Sequence, residues 1–354
     1  MSKKPTLKDV ADKTGVSVPT VSMVIHGKGR ITNETRERVL QCALDMGYPI
    51  HQRKIAKKAS PSNVVAILFN IDPEWSFIWD FIRPVIHEIE NSMRDASYTT
   101  IIIPITNQMS IDKILAKITD SGANAVFAMH FGNTPLFINL EQNAIPVVLV
   151  MNNDLQDKFH SICADDFQGA YEGTRYLIEK GHTKIAYIDT VRPNLPRLLH
   201  DRFYGFRKAL AENNIPFPKN FSLRYCIDQE AEFLSKLSAL LHCEDPPTAF
   251  FCLDDELAAR VIKLLTSLNK KIPEDFSILA PGDVLDYDSP LVPKITTMQI
   301  NTVQMGIAAA DMMLLILKGE KNNQLVVKIR QELVDRDSCS ILGDNRGGHR
   351  SKSS

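Results

Sequence analysis

The apolar positions of this chain follow two periods. Through residue 48 they recur at helical intervals: Leu7, Val10 and Ala11, then Val21, Val24 and Ile25, then Val39, Leu40, Ala43 and Leu44. Each set makes one face of a helix. From residue 64 the pattern changes to unbroken apolar runs, "VVAILFN", "TTIIIPI", "AVFAMHF", "PVVLVMN", "KIAYIDT", "TAFFCLD" and "FSILAPG", separated by helical stretches. Continuous apolar runs between helices predict buried parallel strands in α/β units. Roughly nine such units exceed what one open sheet comfortably holds. The expected core is therefore two doubly wound parallel-sheet halves with a cleft between them, ligands gathering at the carboxyl ends of the strands.

Local punctuation sharpens the first sixty residues. Thr6 and Asp9 have the spacing of a helix N-cap and its N3 carboxylate, and Gly15 tolerates the positive φ of a sharp turn. Ser17 is placed to cap a second helix, which accepts Pro19 in its first turn and runs to about Ile25. Val21, Val24 and Ile25 face inward, leaving Val18, Pro19, Thr20, Ser22, Met23 and His26 outside. After the loop 27–30, Thr32 caps a third helix that ends at Gly47. Helix, glycine turn and a second helix with small polar residues at its N-terminal end form the helix-turn-helix pattern, whose second helix enters the major groove. Generic three-helix packing is the alternative.

Charge favours the first of these. Residues 1–60 carry twelve Lys and Arg against five acids, a surplus of +7, and the remainder carries 29 against 37, or -8. A basic head on an acidic body fits contact between the head and a polyanion, which releases counterions from phosphates. The 354 residues suit two or three domains. No run of 18 apolar residues is present and "MSKKPTLKDV" lacks the apolar stretch of a secretory signal, so a cytoplasmic location with no membrane association is expected. The six cysteines form no C-x-x-C pair and read as reduced, mostly buried small hydrophobes.

The segment "TLKDVADKTGVSVPTVSMVIHGKGRITNETRERVLQCALDMGY" closely resembles the DNA-binding head of the lactose-repressor (LacI/GalR) family, without gaps. The resemblance implies that Val18, Pro19 and Met23 read bases, and that Ser17, Thr20, Ser22, His26, Thr32, Thr35 and Tyr48 touch phosphates and fix register. Met23 departs from the arginine frequent at its position. It cannot fork onto guanine but can pack on a thymine methyl. In the linker "PIHQRKIAKKASPS" (49–62), the family places a hinge that turns helical on DNA and wedges a leucine into the minor groove. Lys57 stands where that leucine would be, Ile55 is the nearest large apolar residue, and Arg53 is a flanking cation. A basic flexible linker is the competing reading.

Segments 164–188, 202–215, 252–279 and 295–317 also resemble the effector-binding core of this family, which is similar to periplasmic sugar-binding proteins. The resemblance implies an all-α head (1–48), a hinge (49–62), a core (63–339) and a disordered tail (340–354). Within the core the N-subdomain would take 63–163 and 294–324, and the C-subdomain 164–293 and 325–339. Arg202 matches the family's ligand-binding arginine, whose fork suits paired hydroxyls or a carboxylate. Trp75, Phe77 and Trp79 lie where cleft residues are expected and either stack on a sugar or pack internally. Gly282 stands where many sugar-responsive members have aspartate. Asp283, next in sequence, restores the carboxylate if the register shifts, and Asp254 either faces the cleft or caps a helix.

No nucleophile elbow, P-loop, zincin or dinucleotide motif is present, so catalysis, metal and cofactor are not expected. The chain reads as a sequence-specific transcriptional regulator, a repressor, binding a near-palindromic operator in double-stranded DNA as a homodimer. A small-molecule effector in the cleft, by family default a carbohydrate, would control it. A solute-binding protein of the same fold is the alternative.

Overall fold

The computed structural model describes residues 5–25, 31–46, 48, 62–72, 79–190, 200–226, 229–320 and 323–343. Three helices open the chain: α1 (Leu7–Thr14), α2 (Val18–Ile25) and α3 (Asn33–Asp45). The capping box forms, with the Asp9 N–H donating to Thr6 Oγ1 at 3.3 Å and Asp9 Oδ2 accepting from the Thr6 N–H at 2.7 Å. At Gly15, φ is 72° and the N–H reaches back to the Ala11 carbonyl, closing α1. Val10, Ala11, Val21, Val24, Ile25, Val39, Leu40 and Ala43 form the small core of the head. Those are the residues whose helical spacing predicts burial.

The chain divides into two compact units, one comprising residues to Ile162 and Gly306–Val326 with the head, the other Cys163–Met305 and Val327 onward. The first contains strands β1 (Val64–Asn70), β2 (Thr99–Ile105), β3 (Ala125–Met129) and β4 (Val147–Val150), with helices α4 (Trp79–Asp95), α5 (Ile111–Ser121) and α6 (Thr134–Gln142). Its sheet is completed by β5 (His160–Ala164) and β11 (Val326–Ile329), in the order β11-β5-β4-β3-β1-β2. The β1 to β5 pairings are parallel, and β1, between β3 and the edge strand β2, buries six of its seven residues. Helix α11 (Thr302–Leu317) follows the second unit's sheet in sequence.

The second unit repeats the plan. Its strands are β6 (Ile185–Thr190), β7 (Ser222–Tyr225), β8 (Ala249–Cys252), β9 (Ser277–Gly282), β10 (Thr296–Ile300) and β12 (Gln331–Val334). They lie in the order β12-β10-β9-β8-β6-β7, with β12 antiparallel to β10. Its helices are α7 (Asp166–Glu179), α8 (His200–Glu212), α9 (Glu230–Leu241) and α10 (Asp255–Ser267). In both sheets the strand order reverses between the first strand and the third, β1 beside β3 and β6 beside β8. Open α/β sheets receive ligands at the carboxyl ends of strands at such a reversal.

Two boundaries differ from expectation. Residues 294–305, expected in the N-subdomain, belong to the second unit, because β10 bonds to β9 and β12. The crossover therefore falls at Met305/Gly306 rather than near Pro293. Strand β11 pairs with β5 in the first sheet, while all but its first residue falls in the second unit, close to the expected boundary at 325. Residues 340–342, expected in the tail, are pinned to the second unit: the Ser340 N–H donates to Ser277 Oγ at 3.0 Å and the Leu342 N–H to the Lys180 carbonyl at 2.8 Å. Among the described residues no helix is long and apolar enough to cross a membrane.

An aromatic cluster joins β6, α8 and β8. The Phe206 ring is fully buried, with ring centroids 5.1 Å from Tyr187, 5.3 Å from Phe217 and 5.7 Å from Phe251. Phe206→Ala is expected to cost about 3 to 5 kcal/mol by leaving a cavity that the sheet cannot close. The urea midpoint of the full chain reads this, and a shift below about 1 kcal/mol would contradict the packing described.

Candidate functional site

In the head, α2 is held by Val21, Val24 and Ile25 and turns its other side outward. Val18 and Met23 are each 39% exposed and Pro19 is exposed. Ser17 Oγ lies 2.8 Å from Thr20 Oγ1 and accepts weakly from the Thr20 N–H at 3.4 Å, capping the helix as its spacing predicts. Ser22 is half-buried. Thr32 stands in the same relation to Thr35, its hydroxyl donating to Thr35 Oγ1 at 2.9 Å. Two hydroxyl pairs thus stand at the starts of α2 and α3, and short hydroxyls are of the kind that bonds phosphate oxygens. Tyr48 packs against the head core, and its N–H donates to the Ala43 carbonyl at 2.8 Å. His26, Arg53, Ile55, Lys57, Trp75 and Phe77 lie outside the described residues.

In the second unit, Arg202 begins α8 and is 8% exposed. Its Nε donates to Asp166 Oδ1 at 2.8 Å and its Nη1 to the Leu253 carbonyl at 2.5 Å. Gln331 Nε2 donates to the same Asp166 oxygen at 3.2 Å. Burial works against the guanidinium charge, but Asp166 outweighs it and holds the Arg202 pKa above its ordinary value. Arg202 is therefore first a buried clamp joining the start of α7, the start of α8 and the end of β8. Sequence reasoning found Arg202 but not its partner Asp166, which lies 36 positions earlier and shares no local pattern with it.

The two aspartate candidates are committed inside the unit. Asp254 caps α10, accepting from the Leu257 N–H at 2.8 Å. Asp283 does not restore a ligand carboxylate. It accepts from Thr297 Oγ1 at 2.7 Å, Gln299 Nε2 at 2.6 Å and Arg336 Nη1 at 2.5 Å, and that guanidinium stacks 4.0 Å from the Tyr287 ring. The reason lies in Asp255, which the sequence did not single out. It is fully buried, and its Oδ2 accepts from the N–H groups of Asp283, Val284 and Leu285 and from the Tyr287 hydroxyl, at 2.8 to 3.3 Å. Burial pushes its carboxyl above the usual range. Gly282 has φ 137°, and a Cβ there would fall 2.4 Å from Asp255 Oδ1. An aspartate at 282 has no room, so the loop is organised by Asp255 instead.

In the first unit, Trp79 opens α4, is 42% exposed, and lies tilted against Phe69 with ring centroids 5.2 Å apart. It caps the end of β1 and still offers an open ring face. No group of three or more His, Cys, Asp or Glu suited to a metal ion occurs among the described residues.

A small basic three-helix unit with an outward second helix, followed by two switch-point α/β sheets, defines a DNA-binding regulator with a ligand-binding type of body. Residues 6–49 match the bacterial regulatory proteins of the lacI family, and residues 174–339 match the periplasmic binding protein-like domain. The chain therefore carries a DNA-binding domain of the lacI family of bacterial regulatory proteins followed by a periplasmic binding protein-like domain, and it is a DNA-binding transcriptional regulator. Among its relatives are the "Probable HTH-type transcriptional repressor ExuR" of Bacillus subtilis (strain 168) and the HTH-type transcriptional repressor PurR of Aliivibrio salmonicida (strain LFI1238). The first is 24% identical over 341 residues, covering 95% of this chain and 99% of that protein. The second is 26% identical over 344 residues, with the same coverage of both. In fold the chain is similar to the regulator CelR solved with cellobiose, at TM-score 0.69 and 20% identity, covering 94% of this chain and 99% of that one. It is also similar to the lac repressor dimer solved on operator with an anti-inducer, at TM-score 0.62 and 19% identity, covering 96% and 100%.

Removing Arg202 leaves the Asp166 carboxylate buried without its counter-charge. Arg202→Ala is expected to lose about 3 to 5 kcal/mol of stability, measured by urea unfolding of the full chain. A loss under about 1 kcal/mol would show that the pair is not a clamp.

Proposed function

We propose that this regulator is a repressor that binds a near-palindromic operator as a homodimer and is controlled by a small polar effector, of carbohydrate class, at the carboxyl edge of its second sheet. The observation that carries the DNA half is the division of α2. Three apolar residues fix it in the head, while Val18, Pro19 and Met23 stand exposed with hydroxyl-bearing residues around them. That is the arrangement in which phosphate contacts set register and a few side chains read base edges. Met23 and Val18 favour apolar contact with thymine methyls over hydrogen-bonded readout of guanine.

The homodimer is supported by an uncovered strand edge. β2 closes one side of the first sheet, and its Ile102 is 50% exposed. An unpaired edge with a large apolar residue is a surface that a second copy is suited to cover. The ribose-bound regulator of Enterococcus faecium, with the cellobiose-bound CelR above, supports the effector class. Coupling needs only unequal affinity of the effector for DNA-competent and DNA-incompetent states, about 1 to 3 kcal/mol in typical cases. We assign the chain no catalytic step.

Selection of duplexes from a random pool is expected to yield a two-fold symmetric site, with binding that weakens steeply as salt rises. Met23→Arg should shift the selected bases toward guanine in each half-site without abolishing binding. An unchanged selection would overturn the assignment of α2 as the reader, and no preference for any duplex, with or without sugars, would overturn the function itself.

A further inference from the structure

At the reversal point of the second sheet, β6 and β8 end side by side, the Leu253 N–H donating to the Ile188 carbonyl at 2.9 Å. Asp189 and Asp254 follow directly. Most carboxylates at this edge are already committed. Asp165 caps α7 through the Gln168 N–H at 3.2 Å, Asp166 clamps Arg202, Asp254 caps α10, and Asp255 and Asp283 hold the loop after β9.

Asp189 differs. Among the described residues its Oδ1 accepts from the N–H of the next residue, Thr190, at 2.8 Å, its ion-pair partner is Arg224 at 4.0 Å, itself 73% exposed, and the His200 charge also favours its ionised form. The Asp189 side chain is 32% exposed, so it is accessible yet poorly hydrated. Burial first, with the like charge of Asp254, holds its carboxyl above the usual range. Two residues back on the same face of the strand stands Tyr187, 1% exposed, whose hydroxyl is buried without a partner among the described residues. After burial, the Asp189 charge is the largest influence on that phenol, followed by Arg202 and Asp166. A buried hydroxyl with no partner and a desolvated carboxylate with a marginal one are both unfavourable in the ligand-free chain.

We propose that Asp189 is the specificity-determining residue of the effector site, its carboxylate accepting two hydroxyls or an ammonium group of a polar small molecule, with Tyr187 beneath it and the Arg202 and Asp166 pair alongside. This rests on the effector reading above and names the ligand class. Asp166 neutralises Arg202, so among the described residues the accessible carboxylate of Asp189, with Arg224 and His200 as opposing charges, sets a negative bias at this edge. Neutral polyols and amino sugars are taken, and sugar phosphates and sugar acids are refused.

Two measurements test it on the full chain. Without ligand, Asp189→Asn and Tyr187→Phe should each raise the melting temperature by about 2 to 4 °C, because the first removes a desolvated charge and the second a buried hydroxyl with no partner among the described residues. A fall in Asp189→Asn would make Asp189 a structural anchor and overturn the proposal. With ligand, melting shifts are compared for glucose, glucosamine, glucose 6-phosphate and glucuronate, and for the matching galactose and ribose series and cellobiose. A shift from neutral or amino members, weakened at least tenfold in apparent affinity by Asp189→Asn, supports the assignment. A shift of the unsubstituted protein by a phosphorylated or carboxylated member overturns the assignment alone, while silence across the whole panel overturns the effector reading with it.

Discussion

The second unit is organised around one buried charge pair. Arg202 and Asp166 sit within 2.8 Å of each other with both side chains 9% exposed. Moving two charges out of water is costly, and their attraction offsets that cost only when the remaining hydrogen-bonding groups also find partners. Here they do, through the Leu253 carbonyl and Gln331 Nε2. Because those partners come from the end of β8 and the start of β12, the pair fixes the spacing of elements far apart in sequence. It does so at the edge where α/β sheets receive ligands. The reciprocal bonds of Gln168 and Gln331, at 2.9 and 3.2 Å, brace the same two segments just after they enter this unit.

The same economy of partners explains the loop after β9. Asp255 gathers three consecutive backbone N–H groups and the Tyr287 hydroxyl, which satisfies donors that the loop would otherwise bury unpaired. The loop closes so tightly that only glycine fits at 282, and Asp283 is turned back toward Thr297, Gln299 and Arg336. A residue missing at one position of a familiar pattern is thus accounted for by a residue 27 positions earlier.

How far the sequence is legible follows from the range of each interaction. The capping box at Thr6 and Asp9, the Gly15 turn and the buried stripe of α2 are set within four residues, and each stands as its spacing predicts. The seven apolar runs become β1, β2, β3, β4, β6, β8 and β9; six are largely buried, as a strand covered on both faces must be apolar throughout, while β2 lies exposed at the edge. The strands β7, β11 and β12 are only four residues long, each with exposed positions, and are too short to announce themselves. Which sheet takes β10 or β11 depends on pairing partners, not on composition. The same limit governs the site. Arg202, Asp254 and Asp283 can be picked out as residue types, and the cap at Asp254 is readable from its spacing to Leu257, but the engagement of Arg202 by Asp166 and of Asp283 by Arg336 joins residues far apart in sequence and is not signalled locally.

The head and the second unit use polar groups in opposite ways. In the head, short hydroxyls stay at or near the surface, Ser17 paired with Thr20 at the start of α2 and Thr32 with Thr35 at the start of α3. Exchanging such bonds for others costs little desolvation, and the +7 charge of the first sixty residues makes any polyanion contact there fall with salt. In the second unit the polar groups are buried, and small changes in their partners carry large free energies because water cannot replace a lost bond. Losing about 3 kcal/mol in such a buried cluster moves an equilibrium by about two orders of magnitude, whereas water offsets most of the loss at an exposed hydroxyl pair, so the two regions differ in how strongly one changed partner is felt.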